Sequence, residues 1–100
     1  MARLEVAGPA QDDLDRLVEF LAEQDRAAAL AVKDVIFDGL EILQRHPLIG
    51  RPAEDGMHEL VISRGKSGYV ALYQYVESED VVLVLAIRHQ REAGFGDHAG

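Results

Sequence analysis

Val81-Val-Leu-Val-Leu-Ala-Ile87 is a run of seven apolar residues without a polar interruption. A strand with one face in water alternates apolar and polar residues, whereas a strand covered on both faces is apolar throughout. The run therefore predicts a central strand, which we place at residues 81–89.

The segments around this run have the two-residue period of half-buried strands. Residues 57–63 and 69–76 predict two further strands, and the intervals 64–68 and 77–80 have lengths suited to hairpin loops. Near the N-terminus, Leu4 and Val6 alternate with charged neighbours, which predicts a short strand over residues 3–7. The sequence therefore predicts three consecutive antiparallel strands and one N-terminal strand.

Two helices are predicted between the first strand and the other three. Leu14, Leu17, Val18 and Leu21 form one apolar stripe of a helix over residues 10–23. Asp25 is placed to cap a second helix, which must end by His46 because Pro47 disfavours helical geometry before it. The short link makes the pair an antiparallel hairpin. A glycine inside a helix lowers the stability of the helix by up to about 1 kcal/mol relative to alanine. Its use at position 39 therefore predicts that another element packs closely against the helix there.

The resulting fold class is α+β: an N-terminal strand and an antiparallel helical hairpin packed on a small antiparallel sheet of three to four strands. We expect one domain over residues 1–100, with a loose tail over about 92–100. Because Leu83 lies in the central strand, its replacement by alanine is expected to cost about 2–5 kcal/mol. The residues expected in the core between hairpin and sheet are Leu14, Leu17, Val18, Leu21, Val35, Ile36, Leu40, Leu72, Leu83 and Leu85.

Composition excludes several classes of protein. The chain has no cysteine, which excludes disulfides and thiolate chemistry, and its net charge of −8 opposes strong direct binding of nucleic acid. No apolar run approaches the length of about 18–20 residues that spans a bilayer. Glu5 interrupts the position where a signal peptide would become apolar. We therefore expect a cytoplasmic protein without membrane contact.

No motif predicts a metal or a cofactor. The four histidines lack metal-ligand spacing. Asp12, Asp13 and Asp15 lie near the predicted start of a helix, where the positive end of the helix dipole stabilises negative charge, so they do not indicate a metal site. The densest group of basic residues is Arg88-His-Gln-Arg91, near Arg64 and Lys66 across the sheet. Arginine forks bind phosphate or carboxylate. The alternative interpretation is that these cations pair with acids such as Glu59 and Glu92.

The whole pattern resembles the RelE/ParE superfamily of bacterial type II toxins, and in particular its ParE branch of plasmid-stabilisation proteins. The order and spacing of the matching segments carry the resemblance, with the Gly50-Arg-Pro52 loop and Ile87-Arg-His-Gln-Arg91 as the more specific parts. The matching segments are Asp12-Asp-Leu-Asp-Arg-Leu-Val-Glu-Phe-Leu21, Leu40-Glu-Ile-Leu-Gln-Arg-His-Pro-Leu-Ile-Gly-Arg-Pro52, His58-Glu-Leu-Val-Ile-Ser63, Gly68-Tyr-Val-Ala-Leu-Tyr73 and Val82-Leu-Val-Leu-Ala-Ile-Arg-His-Gln-Arg-Glu92.

The resemblance implies a growth-inhibiting toxin that a cognate antitoxin neutralises. ParE-like members inhibit DNA gyrase by binding, and we expect this non-enzymatic action here. The alternative is a RelE-like endoribonuclease that cleaves mRNA on the ribosome, for which the candidate catalytic residues are Arg64, Lys66, Arg88 and His89. Phe95, which lacks a hydroxyl, stands where a terminal catalytic tyrosine would be sought.

A helical hairpin shields only one face of a sheet. We therefore expect an antitoxin segment to cover apolar residues of the other face or its edge, or else a second copy of the chain to do so in a homodimer. The candidate antitoxin-binding residues are Val61, Tyr69, Tyr73, Val82 and Val84.

Overall fold

A helical hairpin lies on one face of a five-stranded sheet. The computed structural model describes residues 1–64 and 67–90. For residues 63, 64 and 67 it describes the backbone only. The predicted α+β fold is confirmed. The elements are β1 (Arg3–Val6), α1 (Gly8–Ala22), α2 (Arg26–Leu40), α3 (Ile42–Arg45), β2 (Arg51–Pro52), β3 (His58–Arg64), β4 (Ser67–Val76) and β5 (Val81–His89).

The helix ends follow local sequence signals. Helix α1 begins at Gly8, two residues earlier than predicted, and Pro9 occupies its first turn, where a missing N–H costs nothing. The predicted cap of α2 is confirmed, because the Asp25 carboxylate accepts the N–H of Ala28 at 3.1 Å. The second helix is interrupted at Glu41, so that the short α3 separates it from the loop that follows.

The sheet has the strand order β1-β5-β4-β3-β2. Strands β3, β4 and β5 form the two predicted hairpins, whereas β1 pairs with β5 in parallel. The sheet is therefore mixed and has five strands, rather than three or four antiparallel ones. A short hairpin forces two strands to run antiparallel, but the long connection from β1 to β5 imposes no such constraint.

The core lies between the hairpin and the inner face of the sheet, which we define as the face that contacts the helices. Five predicted core residues are buried, namely Leu14, Leu17, Leu21, Ile36 and Leu40, and Val18 and Val35 are half-buried against them. Leu72, Leu83 and Leu85 are only half-buried, contrary to prediction. The strands bury another set against the helices: Tyr69, Ala71, Tyr73, Val82, Val84 and Ile87.

The two faces of β4 and β5 are thus reversed relative to the prediction. A two-residue period separates the two sets of side chains but does not tell which set faces the helices. Polar residues mark the outer face: Gln74 and Arg88 are exposed, whereas their neighbours along the strands are buried or half-buried.

A β-bulge in β5 shifts this alternation by one residue. Leu72 pairs with Ala86 and Tyr73 with Val84, so Leu85 has no partner of its own. Apart from Val81 at the start of the strand, the buried positions in β5 accordingly fall at residues 82 and 84 before the bulge and at residues 87 and 89 after it. The bulge therefore turns residue 89 inward and residue 88 outward.

Gly39 is packed as closely as predicted. A Cβ atom at this position would lie 2.7 Å from Cγ2 of Ile62 on β3. Because real Cβ atoms do not approach a neighbour so closely, the glycine lets α2 lie directly on the sheet.

Candidate functional site

Arg88 is exposed on the outer face of the sheet, near the end of β5. It borders a shallow hollow of about 90 Å³ lined by Glu59, Val70, Leu72, Ala86 and Arg88 itself. The hollow combines an apolar floor with one guanidinium and one carboxylate. A guanidinium in this setting is suited to an anionic group on an otherwise apolar ligand.

His89 points in the opposite direction from Arg88. It is 4% exposed and contacts two aromatic rings, with ring centroids 5.2 Å from Tyr69 and 6.0 Å from Phe20. Adjacent strand residues face opposite sides of a sheet, so the structure does not bring these two candidate catalytic groups together. The side chain of Arg64 and the whole of Lys66, Phe95 and the 92–100 tail lie outside the described residues.

Four of the five candidate antitoxin-binding residues lie in the core. Tyr69, Tyr73, Val82 and Val84 are buried beneath the helices, and only Val61, on β3, is exposed. The expectation that all five line an open face is therefore wrong. A buried tyrosine is tolerated when its hydroxyl has a partner.

The hydroxyl of Tyr73 has such a partner. Its oxygen accepts the backbone N–H of Gly50 at 2.9 Å, which fastens the loop after α3 to the sheet. Burial raises the pKa of Tyr73, and the hydrogen bond from Gly50 partly opposes that increase. The phenol is therefore neutral and available as an acceptor across the physiological pH range.

An apolar groove runs beside the first half of α2. It has a volume of about 270 Å³ and is lined by Asp25, Ala27, Ala28, Ala31, Val32, Val35 and Tyr69. The small alanine side chains keep the groove open, and the valines and the tyrosine ring make its floor apolar. A shape of this kind fits an amphipathic segment of a partner protein.

Asp13 makes a contact that the sequence analysis missed. One carboxylate oxygen accepts the backbone N–H of Ile87 at 2.9 Å, and the other accepts Nη2 of Arg16 at 3.1 Å. Strand β1 ends at Val6, opposite Val84, so β5 has no strand neighbour on that side beyond Val84. The Asp13 carboxylate satisfies the N–H that β1 leaves unpaired and ties α1 to the end of the bulged strand.

We expect Asp13→Ala to lower the free energy of unfolding by about 1–3 kcal/mol, because it leaves a half-buried N–H without an acceptor. Asp13→Asn keeps one acceptor oxygen and should cost less. Urea unfolding measures both. Asp12→Ala is the control, since it removes the same charge from an exposed neighbour. An equal cost for Asp12→Ala would show that charge, rather than the contact with Ile87, is responsible.

The described part of the chain has neither a group of metal ligands nor a helix that could span a membrane. Within residues 1–64 and 67–90, no three His, Cys, Asp or Glu side chains are grouped as metal ligands. The helices of this part of the chain are too short and too polar to cross a bilayer.

Comparison with known proteins gives the family. Residues 4–94 match the family described as the ParE toxin of type II toxin-antitoxin system, parDE. Toxin RelE3 of Caulobacter vibrioides is 35% identical over 92 residues, which make up 92% of this chain and 98% of that protein.

Solved structures share the fold. A chain of the chromosomal ParDE system from P. aeruginosa superposes with a TM-score of 0.73 at 24% identity, covering 89% of this chain and 96% of that one. A chain of the RelBE2 toxin-antitoxin complex from Mycobacterium tuberculosis superposes with a TM-score of 0.58 at 23% identity, covering 88% and 96%. The resemblance noted in the sequence is confirmed, and the chain belongs to the ParE toxin family of type II toxin-antitoxin systems.

Proposed function

We propose that this toxin arrests growth by binding a protein target, DNA gyrase or a similar enzyme, and that a cognate antitoxin neutralises it. The observation that carries the proposal is the separation of Arg88 from His89 by the sheet. A ribonuclease needs its acid or base and its phosphate-binding cation on the same side of the scissile bond. Here the imidazole is buried between two aromatic rings, while the guanidinium lies on the other face.

The charge of the chain supports the same conclusion. A net charge of −8 repels the phosphate backbone of ribosomal RNA, whereas affinity for nucleic acid normally depends on Lys and Arg. A protein target does not impose this requirement. The match to the ParE family over residues 4–94 supports a binding mechanism as well.

The α2 groove supports neutralisation by a protein partner. Its lining is apolar and it is open to solvent, and the neighbouring structures are those of toxin-antitoxin systems. We infer that an amphipathic antitoxin segment occupies this groove. The groove replaces the surface predicted from Tyr69, Tyr73, Val82 and Val84; of those four, only Tyr69 reaches its lining.

Ala31→Glu is expected to weaken antitoxin binding by about 30-fold or more, because it places a charge in the apolar centre of the groove. Isothermal titration of the purified toxin with the product of the neighbouring gene measures this loss. Ala22→Glu makes the same change at an exposed position near the end of α1, outside the groove, and should bind normally. Normal binding by Ala31→Glu would place the antitoxin elsewhere.

Induction of the toxin without antitoxin in a bacterial host tests the mechanism. The proposal predicts growth arrest with filamentation and a DNA-damage response, while mRNA stays intact. Rapid arrest of translation with cut mRNA, abolished by Arg88→Ala, would instead support a RelE-like endoribonuclease. Absence of any growth defect would identify an inactive chain and overturn the proposal.

A further inference from the structure

The side of α2 that faces solvent carries two large apolar residues. Leu30 is 79% exposed and Phe37 is 40% exposed. Seven residues make about two turns of an α-helix, so these two side chains lie on the same face of α2. Neither of them lines the α2 groove, which lies on the other side of the helix. The helix therefore has a second apolar face that nothing within the described part of the chain covers.

Charged residues share this face with the apolar pair. Spacings of three, four and seven residues align side chains along one face of a helix. The six residues with these spacings are exposed, and we call them the α2 flank: Arg26, Leu30, Lys33, Asp34, Phe37 and Glu41. The flank contains two cations and two anions, so it has no net charge, although the whole chain has a net charge of −8. Two flanks can therefore meet without net repulsion between them.

The order of residues along the α2 flank is self-complementary. A two-fold axis that relates two antiparallel helices places residue i opposite residue j of the second copy, and j opposite i. With the axis between Lys33 and Asp34, each of these two residues lies opposite the other. The same axis places Leu30 opposite Phe37. A parallel pair of helices would instead bring each charge beside its own copy, which opposes association.

The two ends of the flank obey the same relation. Arg26 begins α2 and Glu41 follows its last residue, so the axis places them opposite each other. Glu41 shares a hollow with Asp38 and Arg45, but it forms no ion pair with the residues that the structure describes. All six residues of the flank thus meet an apolar or an oppositely charged residue of a second copy.

Lys33 already has one partner within the chain. Its Nζ lies 3.4 Å from Oδ1 of Asp15, and both side chains are more than half exposed. An ion pair in water stabilises a fold little, so Lys33 is not held to this contact. Arg26 and Asp34 form no ion pair within residues 1–64 and 67–90. The charges of the flank are therefore available to a second copy.

The surface beside Phe37 is concave. A hollow of about 260 Å³ is lined by Val6, Gln11, Leu14, Asp15, Lys33 and Phe37. Leu30 of a second copy, which lies opposite Phe37 in the antiparallel arrangement, reaches this hollow. Burial of a leucine side chain that is otherwise in water favours association, and a hollow accepts it without displacing packed residues.

We propose that the α2 flank pairs with the flank of a second copy of the toxin in an antiparallel, two-fold dimer. The 15 residues of α2 span about 22 Å, so one pair of helices makes a small interface. We therefore expect a weak dimer with a Kd of about 1–100 μM. The α2 groove lies on the other side of the helix, so each copy can still bind an antitoxin segment. The inference does not depend on the proposed target.

Sedimentation velocity of the purified toxin, released from its antitoxin, measures the dimer over a series of about 1–200 μM. We expect the sedimentation coefficient to rise from that of a monomer towards that of a dimer. Leu30→Asp should weaken dimerisation by about 30-fold or more, because it places a carboxylate against Phe37 of the second copy. Leu48→Asp is the matched control, since Leu48 is 60% exposed and lies in the loop after α3, outside the flank.

Charge exchange at the axis tests the antiparallel arrangement itself. Lys33→Asp and Asp34→Lys each place like charges of two copies together, so each variant alone should remain monomeric. An equimolar mixture of the two variants should dimerise, because each exchanged residue then lies opposite an opposite charge. Both positions are exposed, so neither substitution disturbs the core.

A wild type that remains monomeric over the whole series overturns the inference. So does a dimer that Leu48→Asp dissociates and Leu30→Asp does not, because the interface then lies elsewhere. Failure of the mixed variants to dimerise contradicts the antiparallel pairing. Loss of antitoxin binding by Leu30→Asp would assign the flank to the antitoxin and would also overturn the inference. Growth arrest on induction is measured separately and decides the proposed function.

Discussion

Replacing Leu17 by alanine is expected to lower the free energy of unfolding by about 2–5 kcal/mol, because the side chain is fully buried between α1, α2 and the sheet. Removal of its methyl groups forfeits their transfer free energy and leaves a cavity that the packed surroundings close only in part. Chemical denaturation with urea, monitored by circular dichroism, measures the effect.

The control for Leu17→Ala is Leu83→Ala, the same substitution on the central strand. Leu83 is half-buried on the outer face of the sheet, so its expected cost falls to about 1 kcal/mol, below the 2–5 kcal/mol predicted from the sequence. Equal costs for the two variants would mean that the outer face is covered as completely as the inner one, which would contradict the assignment of faces given above.

Gly50→Ala is expected to cost about 2–4 kcal/mol through steric overlap and a lost hydrogen bond. An added Cβ would lie 2.5 Å from the carbonyl oxygen of Glu59 and 2.7 Å from the Tyr73 hydroxyl. The first neighbour is backbone within the sheet, so the loop must move instead. That movement breaks the hydrogen bond from the Gly50 N–H to Tyr73, which fastens the loop to β4.

Gly8→Ala separates this steric effect from the general effect of removing a glycine. Gly8 begins α1, and a Cβ there would meet nothing within 4 Å. Because alanine favours the helix and restricts the unfolded chain, the variant should match the wild type or gain up to about 1 kcal/mol. Thermal unfolding of both variants gives the comparison. A similar loss at both positions would refute the packing argument for Gly50.

Local patterns predict the elements of this fold well. The apolar stripe from Leu14 to Leu21 and the run from Val81 to Ile87 each identify an element by its own periodicity. The same is true of the cap at Asp25 and of the close approach at Gly39, because each depends on a residue type with one main structural use. Most element bounds accordingly agree with the structure to within one to three residues.

Two features could not be predicted from local patterns. The bulge at Leu85 depends on how β5 meets β4, and a seven-residue apolar run does not reveal where the alternation shifts. Which set of strand side chains faces the helices depends on tertiary packing, and the two-residue period does not indicate it. Gln74 was the available signal, because it shares one face of β4 with Leu72; Arg88 was not, because only the bulge places it on the same face as Leu83.

The reversed strand faces also made part of the predicted binding site wrong. Reversal of the faces placed Tyr73 and its neighbours on a surface, although they are in the core. Separation of Arg88 and His89 was predictable from strand alternation alone, and the structure places them so. The hydrogen bond from Ile87 to Asp13 joins residues 74 positions apart, and no sequence pattern indicates it.

Action on a protein target is tested most directly by adding one preparation of purified toxin, released from its antitoxin, to two reactions. One is DNA supercoiling by gyrase, and the other is translation of a defined mRNA on ribosomes. We predict inhibition of supercoiling, reversed by the antitoxin, with the mRNA left intact. Cleavage of the mRNA at the ribosome, with supercoiling unaffected, would contradict the account.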